Sequence, residues 1–237
     1  MPAKCSAFAG SLPGPIPRLG RVSEHDPRHR EDADGPVTPQ GPSSDAGLDL
    51  DHEARERRRA ALAEVRQFGD PVLRSPASPV TEFDERLRAD ADRMVELMHD
   101  AIGVGLAATQ LGNMRRLLVF QAGPDAPPTP LVNPEIEWSS DESATAEEGC
   151  LSLPGVIVDV ERPLHVRVTA QDTEGAGLTI EASGLEARVI QHEIDHLDGV
   201  LMIERTIREQ RKGALRALRE GTSFSPPREA EPAPAEA

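Results

Sequence analysis

The stretch SGLEARVIQHEIDHLDG, residues 183–199, constrains the fold more than any other part of this chain. Val189, Ile190, Ile194 and Leu197 make it too apolar for a fully exposed helix. The same segment carries His192, Glu193, Asp195 and His196, and buried ionisable groups need partners. Ser183 is the expected N-cap and Gly199 the expected stop. On that helix His192 and His196 stand one turn apart on one face, so their imidazoles can converge on a single ion. Glu193 then leans beside the ion rather than binding it, where it can take a proton from a bound water. The alternative is a polar surface helix that binds nothing, and its apolar residues argue against that.

Two histidines leave a metal site incomplete, because a catalytic centre wants three protein ligands and one open position. Beyond Gly199 the chain has no histidine; Glu204 and Glu209 are present, but on an amphipathic final helix. Upstream, EEGCLSLPG places Cys150 just before an expected strand. A thiolate is a strong ligand, yet a lone cysteine is more often a small buried hydrophobe. The residues alone leave the third ligand open.

The helix must be buried by a domain, and composition says where that domain lies. Residues 1–52 are rich in Pro, Gly, Ser and Asp and show no sustained periodicity. Such sequence cannot bury enough apolar surface to offset its ordering entropy, so 1–52 reads as a disordered N-terminal extension. His25, His29 and His52 fall within it. SFSPPREAEPAPAEA is of the same kind, making 222–237 a disordered tail and 53–221 the folded domain. The net charge of −15 disfavours DNA or RNA phosphates as general partners. Two cysteines, Cys5 and Cys150, form no disulfide framework, which points to a reducing cytoplasm. No apolar run approaches a membrane span and no signal peptide is legible, so a cytoplasmic protein is expected.

Within the domain, EARERRRAALAEVRQF is helix-compatible, and Leu87, Met94, Leu97 and Met98 predict a core helix over 83–100 that starts near Thr81 or Glu82. GVGLAATQLGN reads as a glycine-bracketed turn and RRLLVF as a strand. Further strands are predicted at 135–138, 156–160, 164–171 and 178–182. ERTIREQRKGALRALREG supplies the final helix. Helix, strands, buried helix, helix is the order of an α+β fold with largely antiparallel sheets, not of repeating βαβ units.

Three segments then stand out together: GVGLAATQ (103–110), EGCLS (148–152) and QHEIDH (191–196). In this order and at these separations they resemble the three signature motifs of bacterial peptide deformylases. The resemblance runs from FGDPVLR to the final helix. It implies an enzyme that removes the formyl group from the formyl-methionine of newly made polypeptides and releases formate. It also implies that Cys150, His192 and His196 hold one divalent ion, ferrous iron, with zinc or nickel able to take the same ligands. Glu193 would be general base and acid, while the side-chain amide of Gln110 and the backbone N–H of Leu151 would stabilise the oxyanion.

Substrate would pair with the 104–106 backbone as an added strand, where Gly105 lets it approach closely. Val104, Leu185 and Val189 would line the methionine pocket. The basic final helix could contact the ribosome, or simply pack on the domain. Arg162 is expected to pair with Asp195, or else to be satisfied by Glu161; the direction of Arg188 is open. The rival readings are a zinc peptidase of another family using the same Glu193, and a non-catalytic formyl-peptide or ribosome-binding protein.

Overall fold

A computed structural model of the chain describes residues 50–227; Cys5, His25, His29 and most of the two terminal stretches lie outside the described residues. The strands in chain order are β1 (Gly105–Ala107), β2 (Leu117–Phe120), β3 (Thr129–Ser139), β4 (Ser143–Cys150), β5 (Leu153–Pro163), β6 (His165–Gln171) and β7 (Gly177–Ser183). The α-helices are α1 (His52–Glu64), α2 (Glu85–Asp100), α3 (Gly184–Leu197) and α4 (Arg208–Glu220). One five-stranded sheet has the order β1-β2-β3-β6-β7, and β4 and β5 form a separate two-stranded sheet. Neighbouring strands are antiparallel in both, so the expected α+β class with antiparallel sheets holds.

The segment with both apolar and ionisable residues forms α3, buried on every side from Ala187 to Leu197. Val189, Ile190, Ile194 and Leu197 pack with Ala107, Leu118, Phe120 and Leu131 of the larger sheet. Its end is a Schellman motif: Val200 N–H returns to Asp195 O at 2.8 Å and Gly199 N–H to His196 O at 3.2 Å. Gly199 is left-handed at φ 74°, and a Cβ there would strike the Arg74 backbone at 2.7 Å. At the other end Ser183 occupies the N-cap position without capping. Its hydroxyl is engaged by His165 Nδ1 at 2.8 Å instead.

The helix expected near residue 83 begins at Glu85, because the Asp84 carboxylate accepts the Leu87 N–H at 2.9 Å and makes Asp84 the cap. Leu87, Met94, Leu97 and Met98 are all buried, against Leu106, Leu117, Val119 and Val132. Two strands lie where the sequence signals none. The turn-like GLA forms β1 by pairing with β2, and SATAEEGC forms β4 because β5 pairs along its whole length. Tertiary pairing overrides weak strand propensity in both.

The folded chain also extends beyond the expected limits. His52 opens α1, where Asp51 caps by accepting from Ala54 N–H. After α4, Phe224 pairs with the edge of β5: its N–H donates to Gly155 O at 2.9 Å, and its carbonyl accepts from Ile157 N–H at 2.8 Å. Its ring lies over Gly213 of α4, where no Cβ would fit, and joins the cluster of Val156, Val158, Leu201 and Ala214. Pairing and a single aromatic anchor thus order a segment whose composition reads as tail. Because Phe224 is half-buried, Phe224→Ala is expected to lower stability by about 1–2 kcal/mol, below the range for a fully buried phenylalanine. A fall in the urea midpoint at unchanged m would show it.

Candidate metal centre

Period-two alternation along β4 puts Glu148 and Cys150 on one face, and both are buried. Cys150 ends the strand at a register shift against β5. From the other side α3 presents His192, Glu193 and His196, all buried. One donor atom from each of Cys150, His192 and His196 lies within 4.8 Å of the other two. Cys150 Sγ and His196 Nε2 are 3.2 Å apart, and the two imidazole centroids are 5.0 Å apart with their rings 76° from coplanar.

This donor set fits a divalent ion. His192 Nε2 is buried without a hydrogen-bond partner among the described residues, an expensive arrangement unless something else satisfies it. Sulfur and nitrogen ligands bound tetrahedrally at about 2.3 and 2.1 Å would stand about 3.6 Å apart, close to the separation seen here. The two imidazoles differ electrostatically. Burial opposes charge on His192, but the neighbouring Cys150 and Glu148 outweigh it and raise its pKa well above the ordinary value. His196 is held well below the ordinary value by burial and by the His192 charge. Metal ligation wants both imidazoles neutral, so His196 is already suited to it while His192 must release a proton when an ion binds.

Glu148 organises the surroundings. Its carboxylate accepts from His192 Nδ1 at 2.9 Å, from Arg162 through two nitrogens at 2.8 and 2.9 Å, and from Arg188 at 2.8 Å. Burial alone would raise its pKa; hydrogen bonds from Arg162 and His192 reverse that and hold it below the ordinary carboxylate range. Arg162 also donates to Asp195 at 2.8 Å, so the expected pairing is present, while Glu161 engages Ser143. Arg188 points into this network and additionally donates to Val160 O and Ala144 O. Because His192 donates its Nδ1–H to the Glu148 carboxylate, Nε2 is the nitrogen left for a metal. Glu148 lies within the EGCLS segment but carries no expected role there; its signal is its place two residues before Cys150 on one strand.

The remaining candidates divide between the site and the apolar wall. Gln110 is buried; its Oε1 accepts from Ala107 N–H at 2.9 Å, and its Nε2 points to Ser152 Oγ at 3.2 Å and Cys150 Sγ at 3.6 Å. Leu151 follows Cys150 directly, with its side chain buried in the α2 cluster. Gly105 lies so close to Glu193 that a Cβ would meet its Oε1 at 2.5 Å. Val104, Leu185 and Val189 belong to one apolar cluster, Val189 fully buried and the other two half-buried.

Comparison with known proteins identifies the family. Residues 62–212 match the family model described as polypeptide deformylase. A peptide deformylase of Parafrankia sp. is 42% identical over 170 residues, covering 72% of this chain and 92% of that protein. One from Thermotoga neapolitana is 50% identical over 141 residues, 60% of this chain and 85% of its own. Among solved structures, a peptide deformylase from Synechococcus elongatus in complex with actinonin aligns with a TM-score of 0.62 at 42% identity, covering 67% of this chain and 88% of that one. The Thermotoga maritima structure aligns with a TM-score of 0.59 at 48% identity, covering 60% and 96%. This chain belongs to the polypeptide deformylase family and is a hydrolase.

Proposed function

We propose that the enzyme removes the N-terminal formyl group from formyl-methionyl nascent polypeptides and releases formate. The observation that carries this reading is one buried locus where a thiol, two imidazoles, a carboxylate and an uncharged amide converge from three separate segments. Cys150, His192 and His196 would hold one divalent ion. When bound, that ion supplies Lewis acidity that makes water reactive at neutral pH. A thiolate with two imidazoles suits iron, zinc or nickel, and ferrous iron is the proposed native occupant on the family resemblance.

Glu193 takes the proton from the attacking water and later delivers it to the departing amine. Its burial against Gly105 keeps the carboxylate beside the reacting carbon's path. The side-chain amide of Gln110 and the backbone N–H of Leu151 stabilise the negative oxygen that develops on the formyl group. Gln110 suits that task because its amide donates without titrating, and its Oε1 is tied to Ala107 so that Nε2 faces the site. Substrate backbone would lie along β1, an edge strand of its sheet, by strand addition. Val104, Leu185 and Val189 would receive the methionine side chain. On α4 the apolar side, Ala214 and Ala217, is buried while Arg208, Arg211, Lys212, Arg216 and Arg219 are exposed; this basic face is the proposed contact with the ribosome.

Two experiments test the reading. Iron-loaded protein kept anaerobic should release formate from formyl-Met-Ala-Ser, and Glu193→Ala should lower kcat by about 10²–10⁴ while metal content stays stoichiometric. Cys150→Ala should lose the metal; retention of both metal and turnover would instead favour a peptidase with a different ligand set. Glu148→Gln is expected to weaken zinc or cobalt binding by about 10- to 100-fold in chelator competition. It should also destabilise the fold by about 3 kcal/mol in urea, since Arg162 and Arg188 stay buried beside a neutral amide.

A further inference from the structure

The two proposed oxyanion donors come from different sheets. Gln110 sits in the 3₁₀ turn after β1, and Leu151 in the turn between β4 and β5. A short segment well upstream, Val65–Phe68, touches both. Arg66 N–H donates to the Gln110 carbonyl at 2.7 Å, and Phe68 N–H to the Ser152 carbonyl at 2.9 Å. Between them the Gln67 side-chain amide donates to the Leu151 carbonyl at 3.3 Å and to Val65 O at 3.0 Å. The two carbonyls that follow the Leu151 N–H are therefore both held by the same tripeptide that holds Gln110. A lateral bond from Gln110 Nε2 to Ser152 Oγ closes the arrangement.

The geometry points to Gln67 as a positioning residue: within the Arg66–Phe68 crosspiece, it fixes the peptide that follows Leu151 and, through the Leu151 backbone, the direction of the Leu151 N–H relative to Gln110. This inference rests on the oxyanion assignment made above. Transition-state donors act only when already aimed at the place where charge develops, and small misplacements are costly. Gln67 itself is exposed apart from its amide contacts, so its role is not one of filling the core. Neither does it reach the candidate metal ligands.

The test compares Gln67→Met, which keeps length and loses the donor, with Gln67→Lys, which keeps a donor. Loosening one oxyanion donor rather than removing it is expected to lower kcat for formyl-Met-Ala-Ser about five- to tenfold, with KM, the melting temperature and the visible spectrum of the cobalt-substituted enzyme unchanged. Gln67→Lys should recover most of the loss. Combined with Gln110→Ala, Gln67→Met should add less than its single effect, since both act on one oxyanion. If Gln110→Ala lowers kcat but Gln67→Met does not, or if lysine rescues nothing, the positioning role is wrong. If Gln110→Ala also leaves kcat untouched, the oxyanion assignment falls and this inference with it.

Discussion

Everything around the candidate centre depends on one buried carboxylate. Glu148 is fully buried, and a charge in that position is tolerable only if its oxygens are saturated by donors. They are: Arg162, Arg188 and His192 converge on it from β5 and α3. Asp195 extends the network by pairing with Arg162 and with the half-exposed Arg205 beyond α3. The result fastens the two-stranded sheet to the central helix by charge-assisted bonds rather than by apolar packing alone. It also fixes the His192 ring, because the Nδ1–H bond donated to Glu148 leaves Nε2 facing Cys150. A buried network of this sort adds little net stability compared with an apolar replacement. Its contribution is to hold ring orientation and strand placement.

Much of this was legible in the sequence because burial and ionisable residues coincide in 187–197. The apolar positions there are all buried, and the pair His192 and His196 does meet Cys150. The third candidate ligand was not legible from residues alone, since a lone cysteine has an ordinary apolar fate; it needed the company of the other two motifs. The strand carrying Cys150 was also hidden. SATAEEGC has small and acidic residues in place of β-branched ones, and only its pairing with the Val156, Val158 and Val160 strand makes it β. The role of Glu148 was lost with it, because without the strand its common face with Cys150 cannot be seen. Similarly, Phe224 lies in a proline-rich stretch whose average composition masks one well-placed aromatic.

Long-range hydrogen bonds form the other illegible class. Nothing in Arg66, Gln67 or Phe68 as residue types announces that they bridge positions 110 and 152. Two of the bonds use backbone N–H groups that any residue except proline would supply. Such contacts are a property of where a chain crosses, and crossing is decided by the packing of α1 and α2 against the sheet. The lead-in helix, which reads as marginal, thus matters through its exit: Val65 is buried and extended at its C-cap, which delivers the next three residues to the site.

Gly105 joins the substrate path to the proposed chemistry. The sequence calls for a glycine here so that a substrate can approach closely, and in the structure it is Glu193 that fills the space a side chain would need. The carboxylate of Glu193 occupies the position a Cβ would need. The same closeness means that a peptide lying along β1 would pass Glu193 directly, so strand addition and proton transfer share one geometric requirement. A larger residue at 105 would push the carboxylate away from the candidate centre before it obstructed any substrate. The glycine therefore sets the position of the proposed base as much as the proposed approach of the peptide.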